Sequence, residues 1–197
     1  MNIEKTLESL RARRIEAEYF QTAAEALETL CSEVQGKKVV FGGSVTLRDM
    51  GAFEALQKNN DVYWHWVERS ENQRQIECDA QVYIASVNGL AETGEIVNID
   101  GTGNRVANAM YGCESVYYVV GVNKVVPDLH AAIERARQVA APRNAQRLQT
   151  KTPCAVDGKC HDCRSEGRIC NIMSIIMGKP NGVGRCKVLL VGETLGY

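Results

Sequence analysis

Apolar positions recur along this chain with two periods, and the period switches repeatedly. Residues 2–15 place Ile3, Leu7, Leu10 and Ile15 on roughly one helical face, and TAAEALETLCSEV at 22–34 repeats that spacing. KKVVFGG at 37–43 is a short apolar run closed by glycines and reads as a buried strand. A helix is expected directly after it in SVTLRDMGAFEAL, with Ser44 as its N-cap. VYWHWV at 62–67, DAQVYIASV at 79–87, EIVNI at 95–99, SVYYVVGV at 115–122 and KVLLVGE at 187–193 are expected strands, several of them rich in β-branched and aromatic residues. GTGNRVANAMYG at 101–112 reads as a turn entering a short helix. PDLHAAIERARQVAAPRNAQRL at 127–148 reads as one long helix, or two broken near Pro142, with Pro127 in the first turn. NIMSIIM at 171–177 reads as a further short helix.

Strands and helices therefore alternate, which predicts an α/β fold: a largely parallel sheet with helices on both faces. There is no internal repeat and no low-complexity linker. The composition shifts once, near Thr150. From Lys151 to Lys187 the chain carries seven basic and three acidic residues, and long apolar stretches are few. The expected organisation is an α/β domain over 1–150 and a cysteine-rich tail over 151–197 whose last strand returns to the domain.

Composition narrows the function classes. Of the 197 residues, 23 are basic and 24 acidic, so the balance gives no case for nucleic acid as a partner. No apolar run approaches the ~20 residues that span a bilayer, and the N-terminal MNIEKTLESLRARR lacks the apolar stretch of a secretory signal. A cytoplasmic protein is expected.

Three glycine-containing turns are placed to form a cleft at strand ends. The first contains Gly43, Ser44 and Thr46, the second Glu92, Thr93 and Gly94, and the third Gly101, Gly103, Asn104 and Arg105. Glycines permit close backbone approach, and a helix start offers free N–H groups to a phosphate or carboxylate. Arg105 is expected to pair with such an anion as a planar fork, and Glu92 to act as a base or orient a substrate. Lys124, after the strand at 115–122, is either a further anion contact or a solvated loop lysine. Any one of these turns alone has an ordinary structural explanation, and GTGNR lacks the third glycine of the dinucleotide fingerprint.

The eight cysteines divide evenly. Cys31, Cys78, Cys113 and Cys186 are scattered and read as small packed hydrophobes. Cys154, Cys160, Cys163 and Cys170 fall within 17 residues, spaced x5, x2 and x6, among charged and small residues. A disulfide framework does not suit an unexported chain, so these four are expected to bind a metal, with a redox pair at Cys160 and Cys163 as an alternative. Zinc and an iron–sulfur cluster both fit four thiolates. The single close pair favours iron–sulfur, of the [4Fe-4S] type. Lys159, Arg164 and Arg168 are candidates to offset the thiolate charge, and His161 lies inside the close pair.

GGSVTLRDMG at 42–51, NGLAETGEIVNIDGTGNRVA at 88–107, VVGVNKVVPDLHAAIERAR at 119–137 and APRNAQRL at 141–148 resemble the LUD-domain family of the lactate utilization protein C type. TPCAVDGKCHDCRSEGRICN at 152–171 is similar to the cysteine-bearing tail of one of its subgroups. The resemblance implies a three-layer α/β/α fold similar to the ribose-5-phosphate isomerase and CoA-transferase group. It also implies a bacterial role near L-lactate oxidation alongside iron–sulfur partner proteins. It carries over no catalytic residue. An enzyme or sensor for a small anionic metabolite, with the tail as a structural zinc clip, is the competing reading.

Overall fold

The computed structural model describes residues 1–197. Helix α1 (Ile3–Ala12) starts where the Asn2 side chain accepts a hydrogen bond from the Lys5 amide, and it buries Thr6 and Leu10. It ends before residue 15 because Arg14, at φ 63°, turns the chain into β1 (Glu16–Phe20), a strand absent from the sequence reading. Helix α2 (Ala23–Glu33) opens with a reciprocal capping box between Thr22 and Glu25. Strand β2 (Lys38–Phe41) leads into α3 (Val45–Asp49), where Ser44 Oγ caps as expected by accepting from the Leu47 amide at 3.2 Å. Gly51, at φ 65°, separates α3 from α4 (Ala52–Leu56). Strand β3 (Asp61–Tyr63) is shorter than the run at 62–67: Trp64, His65 and Trp66 lie beyond its end.

Helix α5 (Gln73–Cys78) precedes β4 (Val82–Ala85), β5 (Gly89–Ala91), β6 (Ile96–Asp100), α6 (Asn104–Met110) and β7 (Ser115–Gly121). A 3₁₀ turn at Val122–Lys124 then enters β8 (Val125–Val126). Helix α7 (Leu129–Arg135) is capped by Asp128, which leaves Pro127 outside the helix instead of in its first turn. The helix continues through a π turn (Ala136–Ala140) into α8 (Ala141–Leu148). Pro142 has no N–H to donate and its ring crowds the carbonyl one turn back, and the helix widens just before it instead of breaking. Helix α9 (Pro153–Asp157), β9 (Ile172–Ile176) and β10 (Arg185–Val191) complete the chain. NIMSIIM is thus a strand, not a helix. Ser174 and Ile176 are buried while Met173 and Ile175 are exposed, a period of two that so short an apolar run did not disclose.

Six strands form one all-parallel sheet in the order β1-β10-β7-β4-β2-β3. Along β7, Val116, Tyr118 and Val120 enter one core while Tyr117 and Val119 enter the other. Both faces are covered, which is why these strands read as unbroken apolar runs. Ala26 and Leu30 of α2, Leu47 of α3 and Phe53 of α4 cover one face. Leu10 of α1 and Ala109 of α6 cover the other, together with Leu90, Ile96 and Ile176 from a second sheet. The expected three-layer α/β architecture is observed, but EIVNI does not join the parallel sheet. It is β6 in a four-stranded sheet ordered β8-β5-β6-β9, where both of its pairings are antiparallel. Ala132 of α7 and Ala136 pack against Ala91, Val97 and Ile99 of that sheet.

The β1–β10 edge is tied by charge. The buried Lys187 Nζ lies 2.8 Å from Glu18 Oε2 and 2.6 Å from Glu33 Oε1, and Arg185 pairs with Glu16 and Glu33. Burial raises the Glu33 carboxyl, but its hydrogen bond and charge contacts with Lys187 and Arg185 outweigh that and hold it below the usual carboxylate range. A carboxylate with a depressed folded value stabilises above its unfolded value, and the contribution is lost as pH falls through the folded one. Lys187→Met is expected to cost about 2 kcal/mol at neutral pH, because it removes the buried partner of Glu18 and Glu33 and leaves Glu33 with Arg185 as its one remaining ion pair. The gap between variant and parent is expected to narrow below about pH 4 in urea titrations, as carboxylates protonate.

Candidate functional site

Residues just past the carboxyl ends of β2, β4 and β7 meet in a cleft of about 220 Å³. Gly43, Ser44 and Thr46 come from the first, Ser86 and Asn88 from the second, and Lys124 from the third. Ile99, Asp100 and Gly101 of the second sheet form the facing wall, and Asn144 and Arg147 of α8 form part of the rim. This is the end of a parallel sheet at which ligands ordinarily bind. The helices that follow the first and third turns have only five and seven residues, so the cleft's positive character comes mainly from side chains.

Arg105 has a different task from the one expected. Its Nη1 donates to Ile99 O at 3.0 Å and Asn88 Oδ1 at 3.3 Å, and its Nη2 donates to Gly43 O at 2.7 Å. The fork staples three segments of the cleft wall instead of presenting both arms to an anion. Asp100 is similarly engaged, accepting from the Thr102 and Val106 amides at 3.1 and 3.2 Å.

Lys124 is buried, not solvated. Its Nζ lies 2.8 Å from both Thr46 Oγ1 and Ser86 Oγ. Burial, with the nearby charges of Arg135 and Arg105, pushes its amine down to about 7. At the mouth, the Arg147 guanidinium stacks 4.3 Å from the Trp66 ring centre and donates to Asn144 Oδ1 and Tyr197 Oη. His65 also lines the cleft, with Nδ1 3.7 Å from Glu77 Oε1, and burial lowers its imidazole below the ordinary value.

Gly43, Ser44, Thr46, Gly101, Asn104, Arg105 and Lys124 all line this one cleft. Gly103 stands beside them as the N-cap of α6, at φ 100°. Glu92, Thr93 and Gly94 are not in the cleft. NGLAETG is not only a turn after a strand: Gly89–Ala91 is itself a strand, and the β5–β6 hairpin carries these residues away to α1. Glu92 there accepts from the Asn2 amide at 2.8 Å and from Lys5 Nζ at 3.4 Å, and the Thr93 carbonyl accepts from Arg13 Nε at 2.7 Å. His65, Trp66, Ser86, Asn144, Arg147 and Tyr197 were not singled out from sequence. For Ser86 the signal was present: it directly follows a strand that ends at the cleft.

A second cavity, of about 340 Å³, is lined by all four clustered cysteines, Cys154, Cys160, Cys163 and Cys170. Ile99 and Ala141 line both cavities, so the two share a wall. Arg168 Nη2 lies 3.4 Å from Cys170 Sγ, and its arms also hold the Cys163 and Cys170 carbonyls. The Thr152 hydroxyl lies 3.3 Å from Cys154 Sγ. Hydrogen bonds from Ser165 hold the Cys163 thiol below its ordinary value. Lys159 and Arg164 are exposed, and His161 pairs with Asp157 at 2.7 Å on the surface. No three His, Cys, Asp or Glu side chains converge closely enough to hold a single ion. Of the scattered cysteines, Cys113 and Cys186 are buried in the core, Cys31 is half-buried and Cys78 is exposed.

The comparisons agree with this architecture. A DUF162 family protein from Deinococcus radiodurans has a similar crystal structure, with a TM-score of 0.60 over 96% of each chain at 14% identity, a likeness of fold. No curated protein matches the sequence. No helix is long and apolar enough to cross a membrane. The LUD-domain profile matches residues 3–191, and the chain belongs to the LUD-domain family, which is related to lactate utilization proteins.

Proposed function

We propose that the protein is an iron–sulfur redox accessory in the oxidation of L-lactate or a related hydroxy acid, acting beside iron–sulfur partner proteins. The observation that carries this reading is the common cavity of Cys154, Cys160, Cys163 and Cys170, set against a polar cleft through Ile99 and Ala141. A single tetrahedral zinc, with bonds of about 2.3 Å, needs its four sulfurs within about 4 Å of one another. A cluster separates its cysteine ligands more widely and suits thiols arranged around a cavity. Such a group would supply one-electron transfer. Arg168 would offset thiolate charge and donate to a sulfur, and Pro142, Ile172 and Met173 would limit water access. Protein purified without oxygen is expected to be brown and to carry about four irons with matching sulfide. Both are expected to fall sharply in Cys160→Ser. Colourless protein with one zinc per chain would count against this reading.

The cleft supports a second reading, an enzyme or sensor for a small anionic metabolite with the cysteine segment as a structural zinc clip. Lys124, Arg105 and Arg147 line it together with the amides of Asn104 and Asn144. Arg105→Ala is a poor probe, because it leaves the Gly43 and Ile99 carbonyls without their donor. Arg147 is exposed, and Arg147→Ala tests the charge with less damage to the fold. Thermal shift and calorimetry with small carboxylates and sugar phosphates are expected to show binding that weakens about tenfold in this variant, about 1.4 kcal/mol. Absence of any anion response in the parent would remove this reading.

A further inference from the structure

The hydrogen bonds around Lys124 fix the direction of both contacts that its nitrogen makes with hydroxyls. Thr46 Oγ1 donates its one proton to Leu195 O at 3.2 Å, and Ser86 Oγ donates its one proton to Val119 O at 2.6 Å. Backbone carbonyls can only accept. Both hydroxyls must therefore accept from Nζ, which sits 2.8 Å from each. A neutral amine has two N–H groups, and here both are engaged. In the neutral form the lone pair is the one feature of the nitrogen these hydroxyls leave free, and Lys124 lines the cleft. No carboxylate pairs with it, and the charges acting on it are the cations Arg135 and Arg105. A surface lysine is an ammonium point charge. This one is desolvated, with two neutral hydroxyls and no carboxylate as partners, surroundings that favour the free amine and so activate lysine as a nucleophile.

The rest of the cleft limits what such an amine would meet. Arg147, with the side-chain amides of Asn104 and Asn144, favours a carboxylate, and Arg105, its arms engaged in the wall, adds its charge as a field. The volume, about 220 Å³, lies below that of drug-sized sites and suits a molecule of a few carbons. We propose that Lys124 is a nucleophile that condenses reversibly with the carbonyl carbon of a small 2-oxo acid bound in this cleft. A C–N bond forms between Nζ and the carbonyl carbon to give a carbinolamine. The C–O bond then breaks, and the carbonyl oxygen leaves as water with the two amine hydrogens. The product is an imine, and no electrons are gained or lost. At the carbinolamine stage the nitrogen keeps one N–H for one hydroxyl, and the other hydroxyl is free to accept from the carbinolamine O–H; once water has left, the imine nitrogen keeps the first contact when it takes up a proton. The inference rests on the reading of the cleft as a carboxylate site and is independent of what the cysteine cavity holds.

Borohydride trapping tests it on the full-length protein. The protein is incubated near pH 7 with pyruvate or glyoxylate, reduced, digested and mapped by mass spectrometry, and carboxylate binding is followed in parallel by calorimetry. With its amine at about 7, Lys124 offers on the order of a thousandfold more neutral amine at that pH than an exposed lysine. One reduced adduct is expected on the peptide containing Lys124, at least about tenfold above any other lysine, allowing for the lower nucleophilicity of a less basic amine. Acetate and lactate, which lack the 2-oxo group, are expected to give none. Lys124→Arg is expected to abolish the adduct. Calorimetric binding of a 2-oxo acid without a Lys124 adduct would overturn the imine and leave the carboxylate site standing. Failure of every carboxylate to bind would overturn both, and adducts spread evenly over surface lysines would overturn the imine.

Discussion

The geometry of both cavities depends on the Arg105 guanidinium. Its arms reach Gly43 O, just after a strand of the main sheet, and Asn88 Oδ1 and Ile99 O, where the chain enters and nearly leaves the second sheet. These oxygens lie at the seam between two sheets, where no ladder can pair them, and a buried carbonyl without a donor costs about 1–3 kcal/mol. One planar cation satisfies all three and sets the spacing of the seam. Asn88 reinforces it by accepting from the Ile99 amide at 2.7 Å. Ile99 is thereby held where it forms the wall between the cleft and the cysteine cavity.

The second sheet explains why the seam exists. Gly89 has no side chain because a Cβ there would lie 2.7 Å from the Ala132 carbonyl of α7. The strand and the helix therefore touch backbone to backbone, and Arg135 of that helix reaches the Asn88 carbonyl. From α7 the chain widens through the π turn and bears Ala140 and Ala141 on the cleft and Pro142 on the cysteine cavity. Strand β9 closes the other side by pairing with β6 from Asn98 opposite Ser174 to Asp100 opposite Ile172. Cys170 is two residues from that ladder, so the position of at least one thiol is set by sheet register.

The parallel sheet was legible because its strands are buried on both faces and read as unbroken apolar runs: β2, β4, β7 and β10 were all visible. The helix cap at Ser44 follows from local chemistry and needs no tertiary information; the Thr22–Glu25 box is equally local but is seen only in the structure. Strand β1, EAEYF, was missed although its polar–apolar alternation is on the page, because Ile15 could be counted as the last apolar position of the preceding helix. NIMSIIM failed for another reason. Within an apolar run, only the partner strand decides whether the period is two or 3.6, and that partner lies more than seventy residues away. The same holds for NGLAETG, whose hairpin pairing removed Glu92 from the cleft.

The candidate site shows where sequence reading stops in chemical terms. Arg105, Arg147 and Lys124 look alike in sequence, three cations near turns or helix ends. What separates them is where their donors go. Both terminal arms of Arg105 end on oxygens of the chain itself, so it acts as scaffold, and its charge reaches the cleft only as a field. Arg147 rests on Trp66 at the mouth, exposed, and is available to attract an anion. Lys124 has no carboxylate, only two hydroxyls whose protons are committed elsewhere, and this holds its nitrogen in place without neutralising a charge. A carboxylate in place of either hydroxyl would return it to an ordinary ammonium. With threonine and serine at positions 46 and 86 the nitrogen has only neutral partners, so burial works against its charge unopposed.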